Sequence, residues 1–291
     1  MRASNSRSRA RSLLTKVPQV AIVFWIIKII TTALGESTSD YLVSHFNPYI
    51  AVLGGFVAFL LAMVLQFTVR RYIPWVYWLA ALMVAVFGTM AADSIHVALG
   101  VPYKYSALGF AVALAVIFLA WYVTEKTLSI HSIFTFRREL FYWLTVFATF
   151  ALGTATGDLT ATTFGWGYLN SGLIFTAIIA VIALSFFVAQ AMLGERSALL
   201  NRYSIFAFWF AYIITRPMGA SFADWMSKPP IISGLGWGDG QASLLLLAPL
   251  VLLVGYLQLT HRDENPVAHQ KATVPHSIES QLLQQTMDHV E

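Results

Sequence analysis

Four aspartates lie in otherwise apolar sequence, each reached by a glycine and four intervening residues. The copies read Gly35-Glu-Ser-Thr-Ser-Asp40, Gly88-Thr-Met-Ala-Ala-Asp93, Gly153-Thr-Ala-Thr-Gly-Asp158 and Gly219-Ala-Ser-Phe-Ala-Asp224. Thr31, Val84, Thr149 and Thr215 stand at the same distance before the four aspartates. A carboxylate in a membrane-length apolar stretch is costly and by default marks an ion path, a proton relay or a paired counter-charge. Glu36 adds a fifth acid, and Lys28, Thr32, Glu36 and Asp40, spaced four apart, share one helical stripe. Against these acids stand Lys28 and Arg216, leaving a formal charge of −3 if every group is ionised.

Such an excess must be protonated, solvated or matched by bound cations. Carboxylates with nearby hydroxyls (Thr32, Thr89, Thr154) suit hard ions such as Mn²⁺, Mg²⁺ or Ca²⁺. With no cysteine and a single histidine, His96, in this part of the chain, zinc, copper and redox cofactors are not expected. The candidate set is therefore Asp40, Asp93, Asp158, Asp224 and Glu36 as cation ligands or proton relay. Lys28 and Arg216 serve as internal counter-ions, with Lys28 meeting an acid of a neighbouring helix or titrating in the cavity. His96 and the glycines 35, 88, 153 and 219 are supporting residues. Two other readings compete: a membrane scaffold or sensor in which Gly-x4-Asp is a packing device, and a carrier of a small polar solute using Lys28 and Arg216. No Gly-x-Ser-x-Gly, phosphate loop or His-Glu-x-x-His is present, so no enzyme is expected.

The elements that carry these residues follow from composition. The chain is 58% hydrophobic and 11% charged, far from an ordinary soluble domain. Eight apolar blocks of bilayer-crossing length run at about 17–44, 50–69, 74–99, 106–124, 139–163, 170–193, 203–226 and 241–260. They show no strand alternation, and open strands cannot satisfy their backbone in lipid, so all are expected to be helices. The first is read as a retained span, not a cleaved signal. All but four of the 18 Lys and Arg (Lys28, Lys104, Arg216 and Lys228 excepted) fall on one side. The positive-inside rule then places both termini in the cytoplasm, and Lys104 and Lys228 outside. The basic excess thus sets orientation and does not imply nucleic acid. Aromatic clusters at Tyr72/Trp75/Trp78, Tyr103/Tyr105, Trp121/Tyr122 and Trp166/Tyr168 read as an interfacial belt.

Polar odd helices alternate with greasy even ones, in four tandem parallel hairpins at about 17–71, 72–126, 138–196 and 202–260. A basic tail (1–16) precedes them, and a polar tail (261–291) with a short surface helix at 276–290 follows. Parallel copies predict pseudo-symmetry about the membrane normal, with the odd helices at the centre and the four aspartates at one depth. Pro217 should kink the seventh helix just before its motif.

The strings Lys28-Ile-Ile-Thr-Thr-Ala-Leu-Gly-Glu-Ser-Thr-Ser-Asp-Tyr41 and Ala151-Leu-Gly-Thr-Ala-Thr-Gly-Asp-Leu-Thr160 resemble bacterial multi-pass membrane-anchored proteins built from four copies of a repeat of unknown function. The likeness covers about 17–260 and implies a repeat-built inner-membrane protein, but carries no established functional residues. A looser similarity links the Gly-Asp motifs to cation exporters, manganese exporters among them. Their motif has Glu-x-Gly-Asp followed by a basic residue; here Leu159 follows Asp158, and no Glu lies two before Gly157. The expected partners are a lipid bilayer and a small cation. The expected role is a transporter or channel-like protein.

Overall fold

The computed structural model describes residues 15–194 and 197–263. Most of the basic N-terminal tail and the proposed surface helix at 276–290 lie outside the described residues. Eight helices long and apolar enough to cross a membrane make up the fold: α1 (Ile22–His45), α2 (Pro48–Thr68), α3 (Pro74–Leu99), α4 (Tyr103–Glu125), α5 (Phe136–Asp158, continued by a π turn at Leu159–Thr163), α6 (Tyr168–Leu193), α7 (Ala198–Ser227) and α8 (Asp239–Thr260). No strand occurs among the described residues. The first helix starts at Ile22, later than hydropathy alone suggests, because residues 17–20 are not helical and Ala21, in extended conformation, is the N-cap.

The odd helices form a closed inner ring in which α1 packs on α3, α3 on α5, α5 on α7, and α7 back on α1. Each even helix packs more on the next inner helix than on its hairpin partner: α2 on α3, α4 on α5, α6 on α7 and α8 on α1. The chain ends are thereby joined by the last helix covering the first. The outer helices expose long apolar rows to lipid, as Leu53, Val57, Leu61 and Val64 do on α2.

The motif glycines make this ring tight, and they do so cyclically. Gly35 of α1 lies against Ala85 of α3, Gly88 of α3 against Phe150 of α5, Gly153 of α5 against Arg216 of α7, and Gly219 of α7 against Thr32 of α1. The four partners stand at one repeat position, three residues before the next glycine. A methyl group at Gly88 would stand 2.9 Å from the Phe150 Cβ, and one at Gly219 2.7 Å from the Thr32 Cβ. The glycines are thus packing residues, which set how closely the inner helices approach.

Toward the chain termini, an aromatic–Trp pair recurs in every inner helix: Phe24-Trp25, Tyr77-Trp78, Tyr142-Trp143 and Phe208-Trp209. Each tryptophan meets the aromatic ring of the preceding helix. Trp78 lies 5.7 Å from Phe24, Trp143 5.5 Å from Tyr77, Trp209 6.1 Å from Tyr142, and Trp25 5.7 Å from Phe208. Contacts of this kind are worth about 0.5–1.5 kcal/mol each beyond buried area. The interfacial belt read from the sequence is corrected accordingly: Tyr72, Trp78, Trp121 and Tyr168 are buried, whereas Trp75, Tyr105, Tyr122 and Trp166 remain exposed. Periodicity cannot tell a lipid-interface ring from one turned into the bundle.

At this same end, Lys16 pairs with buried Glu139 at 2.6 Å, and Gln66 donates to that carboxylate at 2.9 Å. The Gln19 N–H donates to the Asp263 carbonyl at 3.0 Å, and the Tyr72 hydroxyl bonds the Asp263 carboxylate. Burial and that carboxylate raise the Tyr72 phenol well above the ordinary tyrosine range.

Replacing Gly35 with alanine should destabilise the fold by about 1–3 kcal/mol, the usual cost of overpacking. Gly54→Ala, where an added methyl meets nothing within 4 Å, should be neutral or stabilising. Thermal unfolding of both variants in detergent measures the difference.

Candidate cation site

At the centre of the ring, Arg216 is fully buried and reaches across to the other three inner helices. Its Nη2 donates to Glu36 Oε2 at 2.5 Å, to Thr154 Oγ1 at 2.7 Å, and to Thr89 Oγ1. Its Nη1 donates to the Thr32 carbonyl at 3.3 Å. Thr89 also donates to Glu36 Oε2 at 3.1 Å. Glu36, Thr89 and Thr154 each directly follow a motif glycine, so one repeat position supplies all three side-chain partners of the guanidinium. The Thr32 hydroxyl donates within its own helix, to the carbonyls of Lys28 and, at 3.0 Å, Ile29.

One turn beyond this knot, the four aspartates line a single cavity of about 1150 Å³ together with Glu36, Tyr103, Tyr168, Lys228 and Asp239. Carboxylate oxygens of Glu36, Asp40 and Asp93 lie within 4.8 Å of one another. Oxygens bound on opposite sides of a Ca²⁺-like ion stand about 4.6–5.2 Å apart, so this spacing suits one hard cation. Asp158 faces the same cavity beside Tyr103 and opens the π turn, a feature frequent at functional sites. Asp224 is 4% exposed and stands 3.7 Å from the Lys228 amine.

Lys228, which the sequence reading placed outside the membrane and gave no site role, bonds the Asp40 carboxylate and lies 3.6 Å from Asp239. Its position is fixed by the loop after α7, whose N–H groups satisfy the last carbonyls of that helix. Leu235 donates to Trp225 at 2.6 Å, Trp237 to Met226 at 3.1 Å and Gly238 to Ser227 at 3.0 Å. Burial alone would lower the amine, but Asp40, Asp224 and Asp239 outweigh it and hold Lys228 above the ordinary lysine range. Its charge is kept at low and neutral pH and lost only as pH climbs past that range. The signal for it was Asp224 four residues before a lysine, ahead of the helix-ending Pro229-Pro230. Asp239, the first residue of α8, sits where a helix N-terminus favours an anion.

Two expectations are corrected. Among the described residues, Lys28 meets no acid, and it does not line the cavity. Its amine lies in the aromatic interior, 4.1 Å from the Tyr212 ring centre and 4.5 Å from that of Phe150. Arg216, by contrast, is an internal counter-ion as expected, paired with Glu36. His96 faces away from the cavity lining: its Nδ1 stands 2.8 Å from the Val101 carbonyl, and its ring stacks on Tyr103 at 3.7 Å. The helix-end turn at Gly100, with positive φ, swings Val101 and Tyr103 back over that imidazole.

Fold and site together define a repeat-built, eight-helix membrane protein with a buried ion pair beneath an acidic cavity. The chain belongs to the family described as Repeat of Unknown Function (DUF347), which matches it four times, at residues 23–72, 76–127, 141–191 and 207–263. No curated protein and no solved structure matches the chain.

Glu36→Gln or Arg216→Met alone leaves a buried charge unpaired and should cost about 3–5 kcal/mol. The double variant should cost clearly less than the sum. Unfolding free energies in mild detergent, taken as a double-mutant cycle, measure that coupling; additive losses would mean that the two charges do not support one another.

Proposed function

We propose that this protein is a multi-pass transporter of a small hard cation, with both termini on the cytoplasmic face of a bacterial inner membrane. The observation that carries the reading is the convergence of Glu36, Asp40 and Asp93 within one cavity that the other two motif aspartates also line. Oxygen ligands of this number and charge favour Mn²⁺, Mg²⁺ or Ca²⁺ over softer metals. Lys228 is the internal stand-in: an ammonium held among Asp40, Asp224 and Asp239 occupies part of the space and charge a substrate cation would take. The Arg216 knot and the aromatic layer seal the path on the other side, so passage requires the knot to rearrange, as in a carrier.

Asp→Asn at 40, 93, 158 and 224 keeps shape and removes charge. Each variant should reach the membrane folded, yet lose Mn²⁺ uptake in reconstituted vesicles. Normal uptake by all four would sink the reading. Lys228→Gln frees the aspartates from their internal cation and should tighten Mn²⁺ binding about tenfold, within the usual range of site-to-site coupling. Weaker binding, read by calorimetry, would instead make Lys228 a scaffold of the site.

Orientation is tested separately. The chain has no cysteine, so a Lys104→Cys thiol should react with an impermeant maleimide added from the periplasmic side. Reaction only from the cytoplasm would invert the topology.

A further inference from the structure

Lys28 is the buried charge-bearing group that the cation cavity leaves unused. It is 1% exposed, and its amine has no hydrogen-bond partner among the described residues. It shares the Phe150 ring with Arg216: Lys28 Nζ stands 4.5 Å from the ring centre, and Arg216 Cζ stands 5.1 Å from it. Aromatic faces attract a cation but do not replace a counter-anion or lost water. Two full positive charges against one ring, with Glu36 the single acid bonded to either, is therefore a poor arrangement. The better one leaves the Lys28 amine uncharged while Arg216 holds its seat.

Resting on the cation-transport reading, we propose that Lys28 is a proton-binding site on the sealed side of the Arg216–Glu36 pair. Its proton and a cation in the aspartate cavity exclude each other. The groups facing it are Arg216 and the Tyr212 ring on α7 and the Phe150 ring on α5; Glu36 lies two turns away on its own helix, and Asp239 of α8 is at the cavity end. The Tyr77 and Tyr142 hydroxyls bond one another, and Tyr212, whose ring the amine sits over, joins them in a chain of hydroxyls. When this side opens to water, the Nζ lone pair takes a proton from hydronium, an N–H bond forms, and water remains. The new ammonium repels Arg216 across Phe150. Arg216 is the group that links this layer to the cavity, through its bond to Glu36. Displaced together with Glu36 toward the cavity, the guanidinium supplies the positive charge that a bound cation would supply. Proton in and cation out then become alternatives, which is the requirement for exchange.

The test uses the full chain in lipid nanodiscs, with Mn²⁺ as the probe. Calorimetric titrations across the pH range of the folded protein give log Kd, whose slope against pH counts the protons displaced by the ion. Lys28→Met, which suits an aromatic interior, should bind Mn²⁺ as the wild type does at high pH and displace fewer protons, by as much as about one. Lys28→Arg, permanently charged, should bind about tenfold more weakly at every pH. Should Lys28→Met fail to fold, Phe150→Leu removes the shared face and must flatten the slope in the same way. Equal slopes in wild type and variant overturn the proton site while leaving the cation cavity standing. Failure of Mn²⁺ to bind the wild type, or equal binding by Asp93→Asn, overturns the cation reading itself and this inference with it.

Discussion

A single guanidinium at the centre of a membrane bundle constrains everything around it. Burying Arg216 costs several kcal/mol unless charge and hydrogen bonds compensate, and here each of the other inner helices contributes. Glu36 gives the charge, Thr89 and Thr154 give oxygens, and the Thr32 carbonyl takes a further N–H. Those groups reach a common point only because the helices approach closely, and that approach rests on the four glycines. The ion pair and the packing are therefore one device: widen the ring by a methyl group, and the threonine contacts are drawn apart with it.

The same economy explains the layering along the axis. From the Trp-bearing layer to the aspartates is about 23 Å at the helical rise, most of a bilayer core. Over that length the inner surface changes from rings, through the charged knot, to carboxylates. The knot separates a dry half, in which Lys28 sits among aromatics, from a half open enough to hold a large cavity. An acidic cavity over this packed floor is the feature on which the proposed carrier reading rests.

Much of this was legible in the sequence because repetition and period carry it. Four copies of Gly-x4-Asp, alternating polar and greasy helices, and parallel hairpins lead directly to an eight-helix bundle with odd helices inside. The remainder depends on which residues meet across the ring, which no single-helix pattern encodes. Spacing along α1 put Lys28 on a stripe with two acids, yet the amine ended against rings contributed by α5 and α7. Lys228 escaped notice because the other copies hold Ser44, Val97 and Thr162 at its position, and its role comes from the loop that folds its amine back over Asp40. The aromatic–Trp pair was there to be read in all four copies, but inside a hydrophobic run it looked like ordinary apolar sequence. That each outer helix leans on the following repeat is also invisible locally, since hairpin length fixes only which helices are antiparallel.

The pseudo-symmetry also accounts for why the repeats are joined in one chain. The position after the glycine holds Glu36, Thr89, Thr154 and Ala220, and the position three before it holds Thr32, Ala85, Phe150 and Arg216. Around the axis these two sets meet, and only divergence lets one acid face one base with hydroxyls to fill the remaining valences. An assembly of identical single repeats would bring like charges together at the same point or none at all, and either outcome loses the knot. The backbone contacts keep their fourfold repetition because packing is served by it. The charges abandon it because a neutral, paired centre cannot be built from four equal parts.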